Sequence, residues 1–475
     1  MQHIIKKQVI NLSLDKKLDA FRIQQLVSNH YYNKIVPLLQ QAFDDASFEE
    51  ETISLDTLEI DLGIINEKEI EKGNWEELVF KKISEQLIPF KHNIPSGDKA
   101  KKRSTSLNIS EQWIFYMQHG YLPWNVLQIN PAWYDKVLEA FAADAIAIGN
   151  LRKLITRHPV SVKRIISQHP ENFLKALIET LTARNQDALL QMINEITDIF
   201  FVSAKKNQIE SLQKKGAKQK LWEQVLQLAA SSEKKLNPLV IATYLLSKNF
   251  SGQQFNSKKI KDFMLKNNID VASSKEIKKE LENEGTGKGE EKISTQDVIE
   301  KDHKNEVDEE GIYVQHAGIV LLHPFLTHLF RNLQLVTGES FVDTLSQQKA
   351  LYLLHYLSTG NTRPEEHELV MAKVLCAYPL QEPVDNSIEL EIEELQEGDS
   401  LLVSAIRQWE ILKSTSPDGL REGFLQRNGK LFTKNGQLQL QVEASSIDML
   451  LDQLPWSLST IKLPWMTDIL KVEWR

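Results

Sequence analysis

A single cysteine, Cys376, stands among the 475 residues of the chain. An internal disulfide is therefore excluded, and the composition fits a reducing compartment. Long apolar runs are missing as well. No uninterrupted stretch approaches the roughly 20 residues that a membrane-spanning helix needs. The opening MQHIIKKQVINLSLDKKLDAF lacks the apolar core of a secretion signal, so a cytoplasmic protein is expected, exported only as part of something larger. A basic excess is absent too, with a net charge of -9 and a pI of about 5.8. Holding nucleic acid wants a positive face, and that class is set aside. What remains, 41% hydrophobic and 25% charged residues, is the make-up of a globular protein. The length predicts two or three domains.

Signatures of catalysis are equally scarce. There is no Gly-x-Ser-x-Gly elbow. The run GTGKGEE, Gly285 to Glu291, has neither the spacing of a phosphate loop nor a strand before it. Cys376 sits in the apolar KVLCAYPL, where a free cysteine behaves as a small buried hydrophobe. His316, His323, His328, His355 and His367 fall in one segment beside Glu365, Glu366 and Glu368. The helical His-Glu-x-x-His pattern is not met, since HELVM lacks the second histidine, and capping and packing roles are expected. Asp56, Glu59 and Asp61 in SLDTLEIDLG read as the solvated or partner-facing edge of an alternating strand. The basic Lys99 to Arg103 reads as a solvated connector. No catalytic residue, cofactor or metal ligand is assigned.

The chain is expected to be mainly α with α+β ends. Residues 1–92 read as a β-α-β-α module. IIKKQVINLSL is β-branched, and a helix from Leu18 to Phe43 carries Leu18, Phe21, Leu26, Ile35, Leu38 and Leu39 on its apolar face with a kink at Pro37. In TISLDTLEIDLGI the residues Ile53, Leu55, Leu58, Ile60 and Leu62 alternate with polar ones, apart from a skipped step at Asp56-Thr57. A helix from Trp75 to Leu87 is expected to stop before Pro89. Residues 93–110 are a polar, basic linker, and 111–250 a helical-hairpin middle domain. There ITRHP is echoed by ISQHP, and Asn130-Pro131 and His169-Pro170 predict helix starts. Residues 251–310 hold dense mixed charge and little apolar surface, the composition of a disordered linker, with a transient helix near KEIKKELE.

From 311 to 475 a helical domain is expected, with core helices in VQHAGIVLLHPFLTHLFRNLQL, FVDTLSQQKALYLLHYLSTG and PEEHELVMAKVLCAY, and a helix pair or one interrupted helix in IELEIEELQEGDSLLVSAIRQWEILK. Asn428-Gly429 and Asn435-Gly436 each offer the positive φ of a type I′ turn, predicting a three-stranded antiparallel meander. Leu438, Leu440 and Val442 would share one of its faces. Trp456, Trp465 and Trp474 would pack onto the meander or onto a partner.

Several blocks, in order, resemble the contractile injection system tape measure protein family. They are HIIKKQVINLSLDKKLDAFRIQQLVSNHYY, ISLDTLEIDLGII, WIFYMQHGYLPW, GIYVQHAGIVLLHPFL, QKALYLLHYLSTG, HELVMAKVLCAYPL, QWEILKSTSPDGLREGFLQRNGKL and the tryptophan-rich tail. The resemblance implies a component of a bacterial phage-tail-like particle, with tube, baseplate or terminator proteins as partners and no catalytic residues to transfer. It implies a ruler of tube length or an assembly factor. A wholly helical chain of this length would reach roughly 700 Å, and a continuous middle region about 200 Å. Frequent Pro and Gly exclude the first. Two other classes are carried beside this one. One is a free-standing helical adaptor for partner proteins; the other is a metal-dependent enzyme built on the C-terminal histidines.

Overall fold

The computed structural model describes residues 3–474 apart from 7, 16–17, 47–50, 56, 73–74, 92–99, 127–128, 201–207, 232–235, 250–256, 268–306 and 308–309. The described residues are mostly helical, with a small mixed sheet near the C-terminus. They group into two units: Met1–Glu111 with Pro131–Asp144, and Gln112–Asn130 with Ala145–Arg475.

In the first unit, α1 (Ala20–His30) and α2 (Val36–Ala46) are joined by a π-helical turn, Tyr31–Ile35. The Val36 N–H reaches back five residues to the Tyr31 carbonyl. This wide turn lies directly before Pro37, whose ring would clash with the carbonyl four residues earlier in a regular helix. It is the form the expected kink takes. The apolar face differs from the expected one: Ile23, Val27, Ile35, Leu39, Ala42 and Ala46 are buried, while Phe21 is exposed. Asp19 caps α1, its carboxylate accepting from the Phe21 and Arg22 N–H groups. Opposite lies α4 (Trp75–Lys91), with Trp75, Val79, Ile83 and Leu87 buried at a spacing of four. It runs through Pro89 rather than stopping before it. A proline in the last turn forfeits one backbone bond, and the turn survives. The short α3 (Glu67–Lys72) adds Ile70 to the same core.

The strands of this unit pair differently from expectation. β1 (Glu51–Leu55) ends at the skipped step and pairs antiparallel with β2 (Ala100–Ser104). The basic stretch expected as a connector thus includes a strand. The opening segment, expected as a strand, carries no regular element among its described residues, because β propensity gives a strand only where a neighbour accepts its backbone bonds. Past β1 the alternation persists without a strand partner. Leu58, Ile60 and Leu62 face the core, and the Gln86 and Lys82 side chains donate to the Glu59 and Asp61 carbonyls at 2.7 Å. The unit also holds α6 (Pro131–Ala143), which starts at the expected proline. The division between the units falls within α5 (Thr105–His119).

The second unit continues with α7 (Ala145–Arg157), α8 (Pro159–Gln168), α9 (Glu171–Thr182), α10 (Leu189–Phe200), α11 (Gln208–Ser231), α12 (Pro238–Asn249) and α13 (Ser257–Lys266). The echoed ITRHP and ISQHP span the ends of α7 and α8, and the last residue of each, Pro159 and Pro170, begins or caps the next helix. α11 packs against α7, α8, α9, α10 and α12. Arg152 donates to the Ala229, Ala230 and Leu181 carbonyls, tying the C-terminal ends of α11 and α9 with one cation. α13 lies inside the stretch read as a linker and packs on α10, with Phe263 and Met264 buried. GTGKGEE and KEIKKELE lie outside the described residues.

The C-terminal part surrounds one large core. β3 (Ile312–Val314) leads into a 3-10 helix, Ala317–Leu322, and α14 (His323–Asn332). The first expected core helix is therefore strand, 3-10 turn and a shorter helix. A two-residue hairpin, β4 (Val336–Thr337) and β5 (Ser340–Phe341), precedes α15 (Thr344–Thr359), which Gly360 ends. A 3-10 turn, Glu366–Leu369, opens α16 (Val370–Leu375), and the interrupted stretch is one helix, α17 (Ile392–Gln408), with a 3-10 turn after it.

The sheet has five strands in the order β3-β6-β7-β9-β8, with β6 (Gly429–Lys434), β7 (Gln437–Val442), β8 (Thr460–Ile461) and β9 (Leu470–Glu473). β7 and β9 run parallel and the other pairs antiparallel. This replaces the three-stranded meander. Asn435 and Gly436, with φ of 53° and 73°, make the expected I′ turn between β6 and β7. Asn428-Gly429 makes none. The residues before it form α18 (Pro417–Leu420) and a π turn, Arg421–Leu425, and Gly429 sits inside the sheet between Val314 and Val442. A Cβ there would stand 2.7 Å from the Ala317 Cβ and 2.9 Å from the Gln441 carbonyl oxygen. Its glycine serves close approach rather than positive φ.

Candidate functional site

The most heavily charged buried site of the second unit joins its middle helices to its C-terminal helices. Arg164 of α8 is fully buried, as are Glu366 and Lys373. The Arg164 Nε donates to Glu366 Oε2 at 3.0 Å, and the Lys373 Nζ donates to Glu366 Oε1 at 2.6 Å. The remaining donors meet backbone carbonyls. Arg164 Nη1 reaches Met117 O at 2.6 Å, and Nη2 reaches Gln381 O. Lys373 reaches Leu380 O at 3.0 Å and Glu382 O at 2.8 Å. Each ammonium hydrogen thus has an acceptor. Burial lowers the Lys373 pKa, opposed by the nearby Glu366 carboxylate. Around this centre Gln168 donates to Val384 O at 2.7 Å and Lys215 pairs with Asp385. One loop, 380–385, is therefore held by side chains from α8, α11 and α16.

Sequence reading missed Arg164 and Lys373 and took Glu366 only as a neighbour of histidine. A signal existed for Lys373. It is a lone charge in the apolar run VMAKVLCAY, and a buried cation in such a stripe requires a buried anion. Glu365 and Glu368 act locally. The Glu365 carboxylate accepts from the Glu368 N–H, and the Glu368 carboxylate accepts from the Glu365 N–H, which makes a capping box.

Of the five histidines, the structure brings together three. His316 stands at φ 54°, a left-handed conformation unusual outside glycine, and its ring meets that of His355 at 5.4 Å. His367 lies against Tyr116 at 5.8 Å. Both ring nitrogens of His316 and His355, and Nδ1 of His367, are buried without a hydrogen-bond partner among the described residues. Burial pushes His316 down to about 4 and His355 and His367 to about 3, the nearby imidazoles adding to the effect on the last two. His323 instead bonds the Val320 carbonyl, and His328 lies exposed beside Asn332. Among the described residues no group of three or more His, Cys, Asp or Glu is placed to hold a metal ion. Cys376 is buried, and burial raises its thiol well above the ordinary range. Glu59 and Asp61 are exposed, Asp56 lies outside the described residues, and no described helix is long and apolar enough to cross a membrane.

The tryptophans close the C-terminal core from its rim. Trp456 donates its indole N–H to Leu321 O at 3.0 Å and meets Phe325 edge-on at 5.1 Å. Trp465 donates to Leu375 O at 2.7 Å and lies against Phe330 and Phe341. Trp474 packs on the same core. Each is partly exposed as a residue. The partners of Trp456 and Trp465 thus lie on α14, α16, the 3-10 turn and β5 instead of on the expected meander.

The profile of a family described as contractile injection system tape measure protein matches residues 2–474, essentially the whole chain. No curated protein and no solved structure gives a match.

Proposed function

Because the chain belongs to the contractile injection system tape measure family, we propose that it serves a phage-tail-like particle as an assembly factor at the tube or baseplate, acting by protein–protein contact and not by catalysis. One observation carries this reading. The longest described helix, α11, has 24 residues, and spans only about 36 Å at 1.5 Å per residue. Within the second unit the helices packed against it are shorter still, which suits docking better than a single rod that measures. The partly exposed Trp456, Trp465 and Trp474 are the contact surface in this reading. Their indole N–H groups or flanks are already committed inward, so little side-chain entropy is lost when a partner covers them.

The test is deletion of the gene followed by electron microscopy of particles, with complementation by the full chain or by variants carrying in-frame insertions within α11. Absent or uncapped particles, rescued without change of tube length by the insertions, support an assembly role. Tube lengths that track the inserted length overturn it in favour of measurement.

A further inference from the structure

We propose that Asn435 is a self-modification site: in the folded protein its carboxamide closes onto the Gly436 nitrogen and is converted to a carboxylate, while Asn428 is spared. The chain holds two Asn-Gly pairs, Asn428-Gly429 and Asn435-Gly436. Local chemistry gives them the same reactivity, because in each the attacking nitrogen belongs to a glycine and has no side chain beside it. The step is an internal displacement. Hydroxide removes the Gly436 N–H proton, and the nitrogen lone pair bonds Asn435 Cγ. The carboxamide nitrogen departs as ammonia, taking its third proton from water, and leaves a five-membered succinimide. Water then breaks one of the two ring C–N bonds. Opening at Cγ gives aspartate. Opening at the backbone carbonyl carbon gives isoaspartate, whose main chain runs through Cβ and Cγ.

Folding separates the two pairs. Asn435 and Gly436 are exposed and lie beyond Lys434–Gln437, the last pair of the β6–β7 ladder. The I′ turn, with Asn435 at φ 53°, has to rotate about the Asn435 Cα–C bond before the nitrogen reaches Cγ. Nothing packed resists this at Gly436, where an added Cβ would meet no atom within 4 Å. A tip with so few contacts opens at small cost. Gly429 is buried inside β6 between Val314 and Val442, and a Cβ there would stand 2.7 Å from the Ala317 Cβ. Asn428 is tied at both of its polar ends. Its carbonyl accepts from the Glu443 N–H at 2.9 Å, and its carboxamide donates to Glu443 Oε2 at 3.3 Å. Ring closure at this pair breaks those bonds and shifts Gly429 between two strands. The products at Asn435 also differ in their effect. Aspartate tolerates the turn's positive φ. Isoaspartate adds an atom to the main chain of a two-residue turn and disturbs the register it sets.

The experiment incubates the full, folded chain at neutral and at mildly alkaline pH and then cuts it after glutamate. Both asparagines then lie in one peptide, Gly423 to Glu443. Electron-transfer fragmentation reads which of them has changed and tells isoaspartate from aspartate. Asn435 should be lost at least about tenfold faster than Asn428, at a rate that rises with pH and with both products formed. In concentrated urea, where the sheet no longer shields Gly429, the two rates should converge. Folded-state loss at Asn435 no faster than at Asn428 would overturn the proposal, and so would a gap that persists undiminished in urea. Aspartate formed without isoaspartate would exclude the ring.

Discussion

Glu366 is one carboxylate between two buried cations, and that imbalance makes the three members unequal. Glu366→Ala leaves Arg164 and Lys373 buried side by side with no counter-charge. Removing one partner of a buried pair typically costs about 3–5 kcal/mol. Lys373→Met leaves the Arg164–Glu366 pair intact and should cost less than about half of that. Urea denaturation of the two variants checks the order; a larger loss for Lys373→Met would contradict the assignment of Glu366 as the shared anion. The buried histidines act through pH. His316, His355, His367 and His169 are held at about 4, 3, 3 and 4 instead of the ordinary 6.5. Each binds fewer protons folded than unfolded. Their contribution to stability is therefore full above about pH 6.5, declines as pH falls below it, and stops declining near pH 3. Denaturation midpoints between pH 7 and 4 should fall steeply, and His355→Phe should flatten the slope. An unchanged slope would show that this imidazole is not protonated on unfolding.

At the scale of elements, the two Asn-Gly pairs separate what looks identical in sequence. Gly436 has positive φ and nothing within 4 Å of an added Cβ, whereas Gly429 has an ordinary backbone in crowded surroundings. Gly436→Ala should cost about 1–2 kcal/mol through its left-handed backbone. Gly429→Val should cost about 1–3 kcal/mol or more through overpacking against Ala317 and a carbonyl that belongs to the adjacent strand. The first should leave near-ultraviolet circular dichroism unchanged, while the second alters it as β3 and β6 separate. The helices follow a similar division. Local signals place several of the ends: the expected Pro131 opens α6, the expected Pro170 caps α9, Gly360 stops α15, and Asp19 and Asp343 cap α1 and α15, whereas α4 runs on past Pro89. The π turn before Pro37 was legible only as a kink, since periodicity does not tell which repair a helix adopts.

For the second unit as a whole, Arg164 is the residue whose loss reaches furthest. Its guanidinium bonds Met117 O, Gln381 O and Glu366, groups from three separate stretches of chain. Arg164→Ala should therefore raise hydrogen exchange at residues 117–120 and 380–385 together, while the α9 and α10 amides stay protected. Exchange that rises only around α8 itself would reduce Arg164 to a local role. The same clamp ties the middle helices to α16 and to the loop 380–385.

The sequence alone determined what depends on neighbours along the chain: helical periodicity, caps, the turn at Asn435-Gly436, and the absence of catalytic spacing. The ordered family blocks were legible there too. Tertiary structure alone decided which strand pairs with which, so that residues 51–55 meet 100–104 and a parallel β9 joins β7. It also decided that Ile23 and not Phe21 faces the core, and that Lys373 finds its anion in Glu366 and shares it with Arg164. The physical reason is range. A cap or turn is satisfied within a few residues, whereas a buried charge or a strand edge is satisfied by whatever the folded chain brings against it, and no local pattern names that partner.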